Sequence, residues 1–148
     1  MRALLQRVTE ASVTVDDAVV GAIGRGLLVF LGVEEGDEEK DLDYLLRKIP
    51  ALRVFSDREG KMNLAAKEAE ASFLVVSQFT LIADTQKGNR PSFFRAAKPA
   101  LADNFYQRFG EGLRAAGFEV ANGRFGADMK VRLINDGPVT ILLDTKEL

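Results

Sequence analysis

Phe73-Leu74-Val75-Val76-Ser77-Gln78-Phe79-Thr80-Leu81 is the stretch on which the reading of the fold turns. Its first four residues are apolar without alternation, the pattern of a strand buried on both faces. That strand delivers Ser77, Gln78, Phe79 and Thr80 at its C-terminal end, where sheets commonly present binding groups. Leu27-Leu28-Val29-Phe30-Leu31 has the same unbroken character and reads as a second such strand.

Upstream of these, Leu4 to Thr9 and Ser12 to Val15 are two short extended runs with β-branched residues, and Gly21 to Gly26 reads as a turn. Between the two buried strands, Leu42, Leu45, Leu46 and Ile49 follow the i, i+3, i+4, i+7 spacing of one helical stripe. Asp37, Glu38 and Glu39 fall in the first turn of that helix, Arg47 and Lys48 in its last, and Pro50 stops it. The acidic run Glu34 to Asp43 lacks calcium-loop spacing and reads as a solvated helix start. A second helix begins at Pro99, carries Leu101, Phe105, Phe109 and Leu113 on its inner face, and ends at Gly117. Phe118 to Ala121, Val131 to Ile134 and Val139 to Leu143 return the chain to strands. The order predicts a single α+β domain over 1–148, a mixed and partly barrel-like β-sheet with two main helices packed on it.

Composition then narrows the chemistry. A chain of 148 residues buries roughly two-thirds of its unfolded surface, so a core forms without disulfide or metal staples. There is no cysteine, which excludes disulfides, thiolate nucleophiles and thiolate metal sites. There is no histidine either, so a Ser-His-Asp triad, a Cys-His pair and a His-ligated zinc are impossible. Any hydrolysis must rest on backbone dipoles, hydroxyls, carboxylates, Lys and Arg, or the substrate itself; no metal and no organic cofactor is expected. Met1-Arg2 leads into a short apolar stretch broken by Gln6 and Arg7, and the Leu27 to Leu31 run is too short to span a bilayer. The expected setting is cytoplasmic, with no membrane partner.

The net charge of −2 argues against a broad surface for coating nucleic acid. Thr85 to Ala102 is the exception: it holds Lys87, Arg90, Arg95 and Lys98, no acid, and the aromatic pair Phe93-Phe94. Such a segment either meets a phosphate backbone or is a solvated basic loop.

Two motifs carry the candidate chemistry. Ser77 to Thr80 offers two hydroxyls, an amide side chain and several backbone N–H groups. N–H groups aimed at a developing oxyanion contribute on the order of 3 kcal/mol per donor to acyl transfer. Alternatively, the same residues simply satisfy backbone groups at a strand end. The second motif is Asn135-Asp136-Gly137-Pro138-Val139-Thr140. Asn135-Asp136-Gly137 between β-rich runs reads as a hairpin turn, but Pro138 removes a donor where the next strand should begin pairing. A Gly-Pro bond in a tight turn is also a candidate cis peptide, and a cis bond turns successive carbonyls one way, an arrangement suited to an ammonium group.

Taken in order with Gln6-Arg7-Val8-Thr9, Ala11-Ser12-Val13-Thr14-Val15, Gly60-Lys61-Met62-Asn63, Asn89-Arg90-Pro91-Ser92-Phe93 and Gly123-Arg124-Phe125, the two motifs resemble those of the D-aminoacyl-tRNA deacylases. These are the chirality-proofreading hydrolases of translation, and the resemblance covers essentially the whole chain. It implies hydrolysis of the ester joining a D-amino acid to the 3′ end of tRNA, by a homodimer with active sites at the subunit interface. It further implies that the Gly137-Pro138 bond is cis and enters the partner subunit's active site. There its main-chain oxygens would hold the substrate's α-amino group while its bulk excludes an L side chain. Glycine, which has no side chain to clash, would also be accepted. Arg7 resembles the arginine that helps hold this loop, and as a lone charge in a strand reads equally as a surface residue. Met129 resembles part of the pocket for the terminal adenosine, and otherwise reads as core filler.

Two mechanisms follow. In one, Thr80 is a nucleophile that forms an acyl-enzyme. In the other, water attacks with help from the adjacent ribose 2′-OH while N–H groups near Phe79 and Thr80 stabilise the oxyanion. With no histidine in the chain and no lysine in the motif to activate Thr80, the substrate-assisted route is favoured. Two rival readings stand beside the deacylase: a general esterase using Ser77 or Thr80, and a non-catalytic tRNA-binding module built on the Lys87 to Lys98 patch.

Overall fold

The chain runs β1 (Arg2–Val15), β2 (Ala18–Ile23), β3 (Gly26–Gly32), α1 (Glu39–Ala51), β4 (Phe55–Ser56), β5 (Met62–Leu64), β6 (Ser72–Ser77), a 3-10 turn at Phe79–Leu81, α2 (Pro99–Ala115), β7 (Val120–Asn122), β8 (Lys130–Asp144) and a second 3-10 turn at Thr145–Glu147. These elements come from a computed structural model that describes residues 1–147; Leu148 lies outside the described residues.

β1 organises the sheet. Its first half pairs antiparallel with β3, its second half with β2, and β8 runs antiparallel along its other side. β3 and β6 are parallel, as are β6 and β7, giving the mixed order β2-β1-β3-β6-β7 with β8 beside β1. The far edges come round to meet each other: a Cβ on Gly21 of β2 would lie 2.4 Å from the carbonyl oxygen of Asn122 on β7. Only glycine permits that approach, and it nearly closes the sheet into a barrel.

The α+β architecture, the buried β3 and β6 and both helices match the sequence reading. Several local details differ. The two expected N-terminal runs are one strand, because β8 pairs continuously enough to carry β1 through both. Ala18–Ile23 is strand where a turn was expected from Gly21 onward, since Ala22 and Ile23 pair with Ser12 and Ala11 and the turn is confined to Gly24-Arg25. Pro50 lies inside the last turn of α1, which ends one residue later at Ala51. The strand expected at Phe118 begins at Val120. Val131–Ile134 and Val139–Leu143 belong to a single strand and not to a hairpin, because both halves pair with β1.

Two apolar layers flank the sheet. On one side Leu42, Leu45 and Ile49 of α1 and Phe105, Phe109 and Leu113 of α2 pack on Ala3, Leu5, Val29 and Phe73. Inside the barrel, Val8, Val13, Leu28, Leu74 and Val76 form a second cluster, with Met129 and Val131 against it. Burying each large aliphatic or aromatic side chain contributes about 1.5–3 kcal/mol, so both faces of β3 and β6 must be covered for the fold to hold.

The acidic run is solvated only in part: Glu35, Glu38, Glu39 and Asp43 are exposed as expected, but three of its members are not. Glu34, Asp37 and Asp41 are buried. The Met1 ammonium, itself fully buried, donates to Asp37 Oδ1 at 2.9 Å and to Thr145 Oγ1 at 2.8 Å. Asp37 Oδ2 accepts the Glu34 N–H at 2.6 Å, so this carboxylate lies ahead of the helix and does not complement its dipole. Glu34 is in turn paired with Arg95 at 3.4 Å and Lys146 at 3.1 Å. Burial raises the Asp41 carboxyl, but hydrogen bonds from Thr145 and the Glu38 amide, with the Met1 ammonium and Lys40 nearby, hold it net below the ordinary aspartate range.

Candidate active site

β6 ends by extending its partnership with β3 one residue further, the Gln78 N–H donating to the Leu31 carbonyl at 2.8 Å. The chain then tightens into the 3-10 turn, whose bonds run from Leu81 N–H to Gln78 O at 3.2 Å and from Ile82 N–H to Phe79 O at 2.9 Å. The amides of Phe79 and Thr80 precede the first of these bonds and form the free N–H end of the turn. At its other end, Arg2 Nη1 donates to the Leu81 carbonyl at 2.7 Å while Arg2 Nε holds Asp144 at 3.0 Å. The Gln78 side-chain amide donates to the Thr80 hydroxyl. Thr80 is exposed, and the Phe79 ring, 56% exposed, meets Phe93 edge-on at 5.2 Å between centroids.

Beside this turn opens a cavity of about 620 Å³. Ser77, Gln78 and Phe79 form one wall, Phe93 and the start of α2 another, and Phe125 to Met129 a third. The lining is mainly apolar, which suits a planar ring system with a few polar contacts. Its ionisable groups are Lys98 and Asp128, and exposed Asp128 is paired with Lys130 at 2.9 Å. Tyr106 braces the walls from behind: its hydroxyl bridges the Val75 carbonyl at 3.1 Å and the Gly123 carbonyl at 3.2 Å. Burial raises the pKa of that hydroxyl, which keeps it a proton donor.

The second motif is an excursion from β8. Thr140 pairs with Gln6 and Asn135 with Val8, so Asp136 to Val139 are looped out opposite the single residue Arg7. Asn135 closes the base of the loop, its Oδ1 accepting the Val139 N–H at 2.8 Å and its Nδ2 donating to Val139 O at 3.2 Å and Thr140 Oγ1 at 3.0 Å. Arg7 is buried beneath, with Nε donating to Asp136 O at 2.9 Å and Nη1 to Val54 O at 2.7 Å. The Gly137-Pro138 peptide is cis and both residues are exposed. Gly137 sits at φ +140°, and a Cβ there would fall 2.8 Å from Val139 Cγ2 and 3.1 Å from Arg7 Nη2.

The structure therefore brings Ser77, Gln78, Phe79 and Met129 to one cavity, with Thr80 next to them in the turn but outside the lining. Arg7, Gly137 and Pro138 form a separate cluster that does not line it. Arg7 is a buried loop anchor and not a surface charge. Met129 lines the cavity and also packs against the barrel core. Sequence reasoning missed the clamp made by Asn135, although that residue stood in the motif, and the hold of Arg2 on Leu81. The first is visible only once the loop-out is known; the second joins residues far apart in the chain. Among the described residues no group of three His, Cys, Asp or Glu side chains gathers to hold a metal ion, and no helix is long and apolar enough to cross a membrane.

The same arrangement of elements recurs in known proteins. A solved structure described as a probable eukaryotic D-amino acid tRNA deacylase superposes with a TM-score of 0.80, covering 96% of this chain and 97% of that one, at 20% identity, and so shares the fold. A solved structure described as c-Myc DNA Unwinding Element Binding Protein matches with a TM-score of 0.92 and 44% identity over 98% of this chain and 99% of that one. A D-aminoacyl-tRNA deacylase of Geobacter sulfurreducens is 56% identical over 146 residues, covering 99% of this chain and 96% of its own. The family model for D-Tyr-tRNA(Tyr) deacylase matches residues 4–144. On fold, motifs and full-length similarity together, the chain belongs to the D-aminoacyl-tRNA deacylase family of hydrolases.

Proposed function

We propose that this deacylase selects chirality with main chain and hydrolyses its ester with help from the substrate. The terminal adenosine occupies the apolar cavity against Met129, and the ester carbonyl lies at the mouth, where the Phe79 and Thr80 amides receive the oxyanion. The observation that carries this reading is the free N–H end of the Phe79–Leu81 turn at the edge of that cavity. The Thr80 hydroxyl accepts from the Gln78 amide, and a carboxamide is no base, so nothing in the motif prepares Thr80 as a nucleophile. Water attacks instead, oriented by the ribose 2′-OH.

The Asp136 to Val139 loop acts as the filter in a homodimer. Within one chain the loop and the cavity are separate, and the loop tip is exposed. β8 pairs with β1 alone and presents Ile134 (51% exposed) and Leu142 (57% exposed) to solvent. An edge of that length calls for a partner. In the dimer, Gly137-Pro138 of one subunit enters the other's cavity, binds the α-ammonium through carbonyls and leaves no room for an L side chain. Glycyl-tRNA passes the same filter. The enzyme works in the cytoplasm, where translation supplies its substrate.

The test is the ester lifetime of matched D-, L- and glycyl-tRNA with catalytic amounts of protein, repeated with a 2′-deoxy terminal adenosine. Rapid loss of the D and glycyl esters, survival of the L ester and slow turnover of the deoxy substrate are expected. Equal loss of D and L esters would mean an esterase without a filter. Stable esters on bound tRNA would mean a binding module.

A further inference from the structure

Phe94 is the most exposed aromatic ring in the protein, 68% open to solvent, and nothing in either core uses it. It is not on a loose segment. Phe93 to Ala96 form a turn closed by the Ala96 N–H on Phe93 O at 3.0 Å, and Phe94 is its second residue. The turn is fixed to the end of β3 by Glu35 N–H on Arg95 O at 2.8 Å and Ala97 N–H on Val33 O at 2.9 Å. Buried Glu34 holds the Arg95 guanidinium from below at 3.4 Å. A rigid turn thus presents a bare ring to water, next in the chain to the edge-on pair of Phe93 with exposed Phe79.

Its surroundings name the ligand. Phe93, next in the chain, lines the cavity together with Lys98, so the turn is part of the cavity's rim. Before it, the Asp84–Ser92 pairing closes a loop in which Lys87 and Arg90 are exposed. From Thr85 to Ala102 every charge is positive. An accessible aromatic face set among cations is the pattern that holds unpaired nucleotides: bases stack on the ring and phosphates meet the cations.

We propose that Phe94 is a stacking platform for the unpaired nucleotides immediately 5′ of the reacting adenosine, with Lys98 taking the phosphate between them. This rests on the reading of the cavity as the adenosine site. It extends the substrate contact beyond the ester to the single-stranded tail of the tRNA, and makes the protein select that tail independently of the amino acid it carries.

The chain contains no tryptophan, so Phe94→Trp places a single fluorophore at the site. Titration with uncharged tRNA carrying its complete 3′ end should quench that emission, whereas tRNA trimmed of its last three nucleotides should not. With the same two RNAs, Phe94→Ala should weaken binding of the complete tRNA about tenfold and narrow its advantage over the trimmed one. Lys98→Ala should reduce the salt dependence of binding, lowering the log–log slope by about 0.7. Binding without quenching, or equal loss of affinity for both RNAs in Phe94→Ala, would overturn the proposal. So would conversion of a dimer to monomers by Phe94→Ala, which would give the ring to a second copy of the chain. Quenching by intact tRNA in a protein that leaves D esters untouched would sink the hydrolytic reading and keep this surface.

Discussion

Arg7 on β1 and Asp136 on β8 face each other across the gap in the ladder, and the Arg7 guanidinium fills it, donating at 2.9 Å to the Asp136 carbonyl. Its second arm reaches the Val54 carbonyl at 2.7 Å, so one planar fork joins the loop to the segment that follows α1. A lysine has the charge but a single donor centre, and cannot serve both carbonyls in that geometry. Arg7→Lys should lower stability by about 2 kcal/mol in urea denaturation and reduce kcat/KM on D-aminoacyl-tRNA at least tenfold. Unchanged turnover in the folded variant would remove Arg7 from the site.

Gly137 is held at φ +140° with Val139 and Arg7 already in contact distance of any Cβ. Gly137→Ala should therefore displace the loop tip, cutting D-ester turnover at least tenfold. The residue is exposed, so global stability should fall by only about 1–3 kcal/mol. Comparing single-turnover rates with unfolding midpoints separates the two effects.

Thr80→Ala removes a hydroxyl whose one side-chain partner is the Gln78 amide. It retains both main-chain N–H groups of the turn, and D-ester hydrolysis should stay within about tenfold of the parent. A folded variant that binds tRNA but has lost all turnover would establish Thr80 as the nucleophile.

Asp37→Asn removes the carboxylate that pairs directly with the buried Met1 ammonium at 2.9 Å. Removing one partner of such a pair costs about 3 kcal/mol or more, and the chemical denaturation midpoint should drop accordingly with little change in m.

Acid should weaken the fold through two carboxylates. Asp41 is buried and Asp144 partly buried, which raises both. Their hydrogen bonds win, and both titrate below the ordinary range; for Asp144 these come from the Lys146 amide and the Arg2 guanidinium. Their folded forms bind protons less readily than the unfolded chain, so the stability they contribute is complete above about pH 4 and is lost as pH falls through the folded values. Unfolding free energy followed from pH 6 to pH 2 should decline across that window, and Asp144→Asn should flatten the decline.

The parts of the fold that follow from local pattern were legible. The continuous apolar runs gave β3 and β6, the i, i+3, i+4, i+7 stripe gave α1, the four-residue repeat after Pro99 gave α2, and positive-φ Gly117 follows the end of α2 as expected. What could not be read depends on distant partners. Asn135-Asp136-Gly137 has every local mark of a hairpin, and only the pairing of β1 with both flanks turns it into an excursion from one strand. Burial of Glu34 and Asp37 within the otherwise exposed acidic run could not be read, because their cationic partners, the Met1 ammonium, Arg95 and Lys146, lie elsewhere in the chain. Ser77 to Thr80 do follow the end of β6 as read, but the cavity beside them and their separation from Gly137-Pro138 within one chain are matters of three dimensions.

Asn135 gives the looped-out segment a property of its own. Its side chain ties Val139 and Thr140 directly, so the base of the loop is closed at the point where the pairing with β1 shifts register. The tip is thus a cassette carried on β8, clipped at its base by Asn135 and held from beneath by Arg7.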